Sequence, residues 1–592
     1  MAEHKGKKLV NRPEDAVNES LQGFVASNPH AVRQLEGWPR VIVRSDLADV
    51  RQSNKVTLVA GGGSGHEPCF AGFVGRGMLT AAVAGSVFAS PPTTHILAAL
   101  RAVATPAGTV VMVINYTGDR LNFGLAAERI KQIEEEAGKV RVVVLGDDTA
   151  LVSADKSAGR RGLAGSLMVM KIAGALAESG KYTVDQIADL AAIIAAQLGT
   201  IGLSLSSCSL PGQGATFHLK ADEMELGLGI HGEPGVSRVQ LVPAKTAVDQ
   251  MLSHMTREDS VTRLKLENDN EVAVLINNLG GLSQIEVNIV CKETVEWLVN
   301  RGVTIKRLYV GTLMTSLEMQ GVSISVLRLR NPQWLNWLDA KTECVAWPVK
   351  EAVTSYSLLP ALSVSDVDLS PAALTVSGAA DSIGISIDQD CAAQLRKCFL
   401  AVCQVLIEAE TELNRLDQAA GDGDCGFTMK NGAQTLLAAA SSGSLSFDRP
   451  SLLFRQVSHL CESFGGSTGP IYALFLGSAA SKLSGEFSPS SLSDALSYGT
   501  KTVVTYAQAE PGDRTMVDAL HAASSVCSQN IQPSLETFEL AVQAAEEAAE
   551  ATAKMTAKAG RASYVSKERL TVPDPGAKAV ALWMRAAFEA LK

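Results

Sequence analysis

The sequence lacks the features of several large protein classes. Its 592 residues carry a net charge of −10 and show no basic run, which argues against nucleic acid as a partner. The N-terminal stretch MAEHKGKKLVNRPED has no apolar core of a signal peptide. The longest apolar stretch, residues 187–205, contains Asp189, Gln197 and two glycines. We therefore predict a buried helix running into a strand there, and no membrane span.

Cysteine spacing excludes two further kinds of scaffold. None of the ten cysteines forms a CxxC pair, so neither a zinc ribbon nor a disulfide framework is indicated. Reduced thiols are typical of the cytosol, and we expect a cytoplasmic protein. What the sequence does contain is 46% hydrophobic and 19% charged residues. That composition is globular, and the length leaves room for about three or four compact units.

The chain divides into two parts with different patterns of apolar residues, and a segment of different composition lies between them. Over residues 1–350, short apolar strands end in glycine- or aspartate-rich loops that lead into helices. This pattern predicts an α/β architecture with parallel sheet and ligand sites at the carboxyl ends of the strands. Residues 351–388, rich in Ser, Ala, Pro and Asp, predict a linker, with an irregular loop packed on one domain as the alternative. Apolar residues at helical spacing over 389–592 predict an all-α domain.

A glycine-rich loop, VAGGGSGHEP at residues 59–68, follows one of the predicted strands. Its glycines allow backbone N–H groups to approach a ligand closely. It has no lysine of a phosphate loop, and His66 breaks the GxGxxG pattern of a dinucleotide loop. A tight strand-to-helix turn is the alternative. The histidine directly after the glycines favours a small-molecule site.

Two other loops carry candidate catalytic side chains. In GLGIHGEPG, residues 227–235, His231 stands among four glycines. Because glycines offer little packing, an accessible imidazole acting as base, metal ligand or nucleophile competes with a structural histidine. The GxGxxG match of this stretch is discounted, because LKADEMEL at residues 219–226 does not resemble a strand. In NYTGDRLNFG, residues 115–124, Asp119 is either a general base or a turn cap.

Loops between the predicted helices of the second part suit one end of a nucleotide-binding bundle. LDQAAGDGDCG, residues 416–426, places Asp417, Asp422 and Asp424 close together, which is costly unless a cation neutralises the carboxylates. An EF-hand is excluded, since its twelfth position would be Ala433. Hard oxygen ligands suit Mg²⁺ on nucleotide phosphates, and plain loop acids are the alternative. Further candidate loops are FGGSTGPIY (464–472), PGDRTM (511–516), GRASY (560–564) and PDPGA (573–577).

Together these motifs are similar to those of the dihydroxyacetone kinase family, in its single-chain ATP-dependent form. GGGSGHEP, NYTGDRLNFG, GRRGLAG, SLSSCSLPG, ELGLGIHGEPG and NNLGGL resemble its substrate domain. AAGDGDCG, GGSTG, PGDRTM, GRASY and PDPGA resemble its nucleotide domain. The resemblance covers nearly the whole chain except the linker. It implies two α/β subdomains followed by a barrel of antiparallel helices, in a homodimer.

The resemblance also implies a reaction and the residues that perform it. His231 would bond covalently to the carbonyl of dihydroxyacetone or glyceraldehyde as a hemiaminal, with the glycines leaving room for the attacked carbon. Asp119 and His66 would flank the terminal hydroxyl, and Asp119 would accept its proton. Transfer from ATP would depend on positioning and charge neutralisation. The substrate's oxygens would be held by Gly63, Ser64 and Gly65.

In the helical domain the resemblance implies a nucleotide and metal site. Mg²⁺ on ATP would be held by Asp417, Asp422 and Asp424. Animal members of the family also split FAD into AMP and riboflavin 4′,5′-cyclic phosphate, with Mn²⁺ or Co²⁺, and the same pocket would serve that activity. The residues expected to line the nucleotide are Asp422, Gly423, Asp424, Cys425, Ser467, Thr468, Thr515, Met516, Asp574, Pro575 and Gly576.

One position departs from the family pattern. Members commonly have a lysine directly before NYTGD, where this chain has Ile114, so a cationic donor is missing from the expected substrate site. A second hypothesis is a ligand-sensing or partner-binding regulatory protein that retains the fold, because some relatives of the substrate domain act in regulation. The otherwise complete set of motifs favours the enzyme.

Overall fold

The computed structural model describes the chain in two compact units, residues 1–361 and 362–592. None of the ten cysteines, all of which lie among the described residues, forms a disulfide bond, and no helix in the described part of the chain has both the length and the apolar character needed to cross a membrane. The described residues are 7–133, 139–151, 159–233, 235–348, 355–358, 384–419, 423–464, 467–530, 532–559, 562 and 570–592.

The first sheet of the α/β unit contains the strands predicted to end in the glycine and aspartate loops. Its strands are β1 (Val32–Leu35), β2 (Trp38–Arg44), β3 (Thr57–Ser64), β4 (Ala81–Val87), β5 (Thr109–Ile114) and β6 (Val140–Leu145), in the spatial order β1-β2-β4-β3-β5-β6. Neighbours among β4, β3, β5 and β6 are parallel, as expected. Strands β3 and β5 are buried along their whole length, which explains their continuous apolar sequences.

Helices cover both faces of this sheet. One face packs against α5 (Ser166–Ser179) and α6 (Val184–Ala195), and the other against α3 (Thr93–Val103) and α4 (Thr117–Ile133). The shorter elements α1 (Ala16–Ser27) and α2 (Leu47–Gln52) precede them. Because α4 follows β5 directly, its first turn lies at the carboxyl end of the sheet, where Asp119 was expected to act.

The second sheet departs from the expectation of parallel strands. It consists of β7 (Leu198–Ser204), β8 (Glu223–Leu226), β9 (Ser237–Gln240), β10 (Glu271–Asn278), β11 (Thr304–Gly311) and β12 (Gly321–Arg328), in the order β11-β10-β12-β7-β8-β9. Among these described strands, β10 and β11 are parallel and the other neighbours are antiparallel. Helices α7 (Ala244–Thr256) and α8 (Gln284–Val299) pack on it, and α9 (Gln333–Asp339) follows.

Two local predictions for this region have opposite outcomes. The apolar stretch 187–205 is confirmed as a buried helix running into a strand, since it spans most of α6 and all of β7. The prediction that LKADEMEL contains no strand is wrong, because its last four residues form β8. A four-residue strand is too short to show a reliable pattern, and pairing with β7 and β9 on either side determines it.

The second unit is helical throughout its described residues, as predicted. Its helices are α10 (Gln389–Glu408), α11 (Glu410–Asp417), α12 (Cys425–Ser441), α13 (Pro450–Cys461), α14 (Thr468–Ala480), α15 (Pro489–Ala507), α16 (Met516–Gln529), α17 (Leu535–Ala551) and α18 (Pro575–Leu591). Side chains of Asp388, Ser488, Thr515, Ser534 and Asp574 cap five of them. Apolar side chains from the helices of this unit surround a cavity of about 690 Å³.

The predicted linker, residues 351–388, falls largely outside the described residues. Within it, Tyr356 pairs with Ile305 of β11, a strand at the edge of the second sheet: the Tyr356 N–H donates to the Ile305 carbonyl at 2.8 Å. The boundaries 350 and 388 therefore stay predictions.

Candidate active site

Three loops that are far apart in sequence meet around His231. The glycine loop after β3 supplies His66, the loop between β4 and α3 supplies Phe88, and the loop after β5 supplies Tyr116. The centroid of the His231 ring lies 4.8 Å from that of His66, 5.4 Å from Phe88 and 4.5 Å from Tyr116. Asp119 lies near enough to this imidazole for a positive charge on His231 to lower the pKa of its carboxyl. The three predicted catalytic residues are thus brought together.

His66 is held as a neutral hydrogen-bond acceptor. Its Nδ1 lies 2.8 Å from the Thr315 carbonyl, so Nδ1 carries the hydrogen and Nε2 keeps its lone pair. Burial, together with the charge of His231, lowers the pKa of His66 to about 3. Nε2 is buried and has no partner among the described residues. Such an orphaned acceptor suits the hydroxyl of a bound molecule.

Asp119 lies in the first turn of α4 with only 2% of its surface exposed. Its Oδ1 is buried and finds no hydrogen-bond partner in the described part of the chain. Burial raises the pKa of this carboxyl to about 6, although a hydrogen bond from Ser90 opposes the shift. A carboxylate with an unused oxygen and a raised pKa can accept a proton near neutral pH.

The residues expected to hold substrate oxygens pack closely on residues 85–89, which are the end of β4 and the start of the loop after it. A Cβ on Gly63 would lie 2.8 Å from the Ala89 nitrogen, and one on Gly65 would lie 2.7 Å from the Phe88 ring. Gly65 also has a φ of +96°, which L side chains rarely adopt. The Ser64 hydroxyl donates to the Gly85 carbonyl at 2.8 Å. The two glycines can therefore contact substrate only through their backbone, and the binding role of residues 63–65 stays a prediction.

The glycines around His231 pack against the protein's own atoms, and the expectation that they leave room for the attacked carbon of the substrate stays a prediction. A Cβ on Gly229 would overlap the Glu233 carboxylate, and one on Gly235 would overlap the Leu226 carbonyl. The space without side chains is therefore filled by the protein itself, because the loop folds back onto its own atoms. His231 keeps 21% of its side chain exposed.

Several residues of the site escaped the sequence analysis. Glu233 lies in GLGIHGEPG and Tyr116 in NYTGDRLNFG, and a polar side chain close in sequence to His231 or Asp119 was a signal that could have found them. Arg161 lies in GRRGLAG, a motif that pointed to the family but to no individual role. Phe88 and Thr315 carried no signal, because only the packing of the two sheets places them here.

Ile114, the departure from the family pattern, is a core residue. It is 1% exposed and belongs to the apolar cluster between the first sheet and α5. Its Cδ1 lies 3.4 Å from the position of a Cβ on Gly62. The side chain at the end of β5 thus contributes packing and supplies no charge to the site.

In the helical unit, the predicted metal loop connects α11 and α12. The Oδ2 of Asp417 accepts the N–H groups of Asp424 at 3.0 Å and Cys425 at 3.1 Å, while Asp424 is exposed. Asp422 lies outside the described residues, and no group of three metal-binding side chains occurs among those described. Carboxylate oxygens on an open loop fit a hard cation such as Mg²⁺, so the three-aspartate site stays a prediction.

Two of the predicted nucleotide loops meet where α16 and α18 begin. A Cβ on Gly576 would lie 3.3 Å from the Cβ of Met516, and the fully buried Arg514 lies 4.0 Å from Asp574. Burial raises the pKa of Asp574 to about 6, which the charge of Arg514 opposes. Pro575 occupies the first position of α18. These contacts bring the DRTM and DPG motifs together.

The remaining candidate nucleotide residues surround the starts of α12 and α14. Ser467 is exposed and precedes α14, and its side chain makes no capping bond among the residues that the structure describes. Thr468 is the first residue of that helix. Gly423 has a φ of +79° just before Asp424 and Cys425. Of GRASY, only Ala562 lies within the described residues.

Comparison with known proteins identifies the family. Residues 22–346 match the Dak1 domain and residues 419–589 match the DAK2 domain. The triokinase/FMN cyclase of Homo sapiens is 44% identical over 591 residues, with 99% of each chain covered. The chain belongs to the dihydroxyacetone kinase family.

Solved structures of this family share the architecture. The crystal structure of the dihydroxyacetone kinase from C. freundii in complex with AMP-PNP and Mg²⁺ matches with a TM-score of 0.63 and 31% identity, covering 98% of this chain and 99% of that one. The dihydroxyacetone kinase operon co-activator Dha-DhaQ matches with a TM-score of 0.52 and 30% identity, covering 56% of this chain and 99% of its own. The predicted family and fold class, an α/β unit followed by a helical unit, are therefore confirmed.

Proposed function

We propose that this dihydroxyacetone kinase family member transfers the γ-phosphoryl group of ATP to the terminal hydroxyl of dihydroxyacetone or glyceraldehyde. The observation that supports it best is the set of buried polar atoms around His231. His66 Nε2, Tyr116 Oη and Asp119 Oδ1 are all buried without a partner among the described residues. Three unused polar atoms beside one imidazole suit a small molecule that carries hydroxyl and carbonyl groups.

In this proposal His231 captures the carbonyl carbon as a hemiaminal, which holds the substrate for transfer. Asp119 accepts the proton of the attacking hydroxyl, and His66 Nε2 accepts a hydrogen bond from the same region of the substrate. Gly63, Ser64 and Gly65 hold substrate oxygens. The name of the human relative and the AMP-PNP and Mg²⁺ bound to the C. freundii enzyme support this reaction class.

The helical unit would bind the nucleotide through the loops that precede α12, α14, α16 and α18. Asp417, Asp422 and Asp424 would hold Mg²⁺, which neutralises phosphate charge when it is bound. Backbone N–H groups at the four helix starts would hold phosphate oxygens. The loops of Thr515 and Asp574 support this assignment, because they already lie against each other.

The experiment measures the mass of the intact protein with dihydroxyacetone, and ATP consumption under the same conditions. We expect an adduct and turnover in the wild type, and neither in His231→Ala. His218→Ala is the matched control, since His218 is an exposed histidine outside the site. An adduct on His231→Ala that matches the wild type would overturn the covalent role of His231.

A second activity is proposed for the same nucleotide site. The human relative is named triokinase/FMN cyclase, and we propose that this chain also splits FAD into AMP and riboflavin 4′,5′-cyclic phosphate, with Mn²⁺ or Co²⁺. The site would bind the ADP-like part of FAD while a ribityl hydroxyl attacks the phosphorus atom of the phosphate on the riboflavin side. Asp422→Asn should abolish both activities together. Survival of either activity in that variant would assign the two to separate sites.

The regulatory alternative rests on one comparison. A co-activator, Dha-DhaQ, shares the fold over 56% of this chain. A wild-type protein that binds dihydroxyacetone but never consumes ATP would favour this alternative. We further propose that the protein acts as a homodimer in the cytoplasm, which size measurement and cell fractionation test directly.

A further inference from the structure

The loop that carries His231 is folded around the carboxylate of Glu233. Its Oε2 accepts the backbone N–H of His231 at 2.8 Å. The same oxygen lies 3.9 Å from His231 Nδ1, which is beyond a hydrogen bond but close for opposite charges. One carboxylate therefore contacts both the backbone and the ring of the proposed nucleophile.

Arg161 holds this carboxylate and the start of the loop at once. Its Nη1 lies 3.6 Å from Glu233 Oε1, and its Nη2 donates to the Gly227 carbonyl at 2.6 Å. Its Nε donates to Asp148 Oδ2 at 2.7 Å, and Asp148 is 1% exposed. A planar guanidinium with several fixed donors suits such a junction, because its three contacts determine one another's geometry.

The charge of Glu233 is maintained by this arrangement. Burial alone would raise the pKa of the Glu233 carboxyl, but its interaction with His231 and the charge of Arg161 lower that pKa to about 2. The Nδ1 side of the imidazole therefore faces a permanent anion. An anion on that side favours the tautomer with hydrogen on Nδ1, which leaves the Nε2 lone pair for another molecule.

We propose that Glu233 is a positioning residue that orients His231 and selects its nucleophilic Nε2, and that Arg161 holds Glu233 in place. This inference rests on the proposed function of His231. The Nε2 lone pair bonds to the carbonyl carbon, the π pair of the C=O bond moves to oxygen, and that oxygen takes a proton from solvent. The ring becomes an imidazolium whose Nδ1–H faces the carboxylate, so Glu233 stabilises the adduct more than the free imidazole.

The test is Glu233→Gln, which keeps the size of the side chain and an oxygen for the His231 N–H but removes the charge. The matched control is Glu225→Gln. Glu225 is also buried and accepts a loop N–H, that of Gly235, at 2.8 Å. Arg161→Lys is the second variant, since it keeps the charge but loses the planar set of donors.

Two signals are measured on the full-length protein. With [2-¹³C]dihydroxyacetone, the ketone carbon moves to the range of a saturated carbon when the adduct forms. We expect the dissociation constant of the adduct to rise roughly tenfold to a hundredfold in Glu233→Gln, a loss between the bulk-water and protein-surface limits for opposite charges about 4 Å apart. Arg161→Lys should give a smaller loss in the same direction, and Glu225→Gln no change. The ¹⁵N resonances of His231 should show hydrogen on Nδ1 in the wild type and a mixture of tautomers in Glu233→Gln.

The outcomes separate this inference from the proposed function. If the wild type forms no adduct, the covalent function itself is wrong. If the wild type forms the adduct and Glu233→Gln forms it equally well with an unchanged His231 tautomer, only the role of Glu233 is overturned. An equal loss in Glu225→Gln and Glu233→Gln would indicate a general effect on the loop and would also overturn it.

Discussion

At the scale of single residues, burial determines what Asp119 can do. Its raised pKa, about 6, means that the carboxyl is protonated in mildly acidic solution and ionised at neutral pH. If it accepts the proton of the substrate hydroxyl, kcat should rise with pH through about 6 and fall about tenfold per pH unit below that value. The measurement is the pH dependence of ATP-dependent turnover. An Asp119→Asn variant that keeps the wild-type rate and profile would refute the role.

The same shift predicts an effect on stability. The pKa of Asp119 in the folded state exceeds the unfolded value of 3.8, so the folded state binds more protons between about pH 4 and pH 6, and this residue's contribution to stability falls as pH rises through that window. Asp119→Asn should therefore stabilise the protein by up to about 3 kcal/mol at pH 8 and little at pH 4. Urea unfolding followed by tryptophan fluorescence measures the unfolding free energy of both proteins at the two pH values. An equal change in unfolding free energy at pH 4 and pH 8 would contradict the coupling between Asp119 protonation and stability.

At Gly229 the protein's own packing leaves no space for a side chain. A Cβ there would overlap the Glu233 carboxylate, so Gly229→Ala should displace Glu233 and weaken the adduct on His231. The matched control is Gly214→Ala, because a Cβ on Gly214 meets no atom of the described residues within 4 Å. Adduct formation with labelled dihydroxyacetone is compared for both. Equal adduct formation in the two variants would show that Glu233 tolerates the displacement.

At the scale of elements, the start of α16 combines a cap with a predicted nucleotide contact. The Thr515 side chain accepts the Val517 N–H at 3.2 Å, and Asp518 accepts the Thr515 N–H at 2.8 Å. Thr515→Ala should lower the unfolding free energy by about 1 kcal/mol and weaken binding of AMP-PNP. Thr515→Ser keeps the hydroxyl and should preserve both. Urea unfolding and calorimetric titration test this, and an Ala variant with unchanged affinity would remove Thr515 from the nucleotide site.

At the scale of the whole molecule, two units with separate cores predict two separable responses to ligand. The α/β unit and the helical unit each have their own apolar clusters. Dihydroxyacetone should raise the melting temperature of one calorimetric transition, and AMP-PNP with Mg²⁺ that of the other. A ligand at a hundredfold excess over its Kd adds about 2.7 kcal/mol to the unit that binds it. A single transition raised equally by either ligand would contradict this.

Much of this architecture could be predicted from the sequence because the relevant signals are local. Apolar runs such as those of β3 and β5 are read within a few residues, and glycines mark the loops that follow them. His66, Asp119 and His231 stand in motifs whose residue types indicate chemistry. Short elements such as β8 were missed, since four residues carry little pattern and their pairing partners determine them.

By itself, the sequence determined the division into an α/β and a helical part, the family, and the three residues proposed for catalysis. Only the tertiary structure decided what surrounds them. The packing of two sheets places Thr315 on His66 and Arg161 on Glu233, and the loop of His231 fills its glycine spaces with its own carboxylate. The reason is physical: periodicity and motif are properties of neighbouring residues, whereas these contacts join residues that approach only when the core between them has formed.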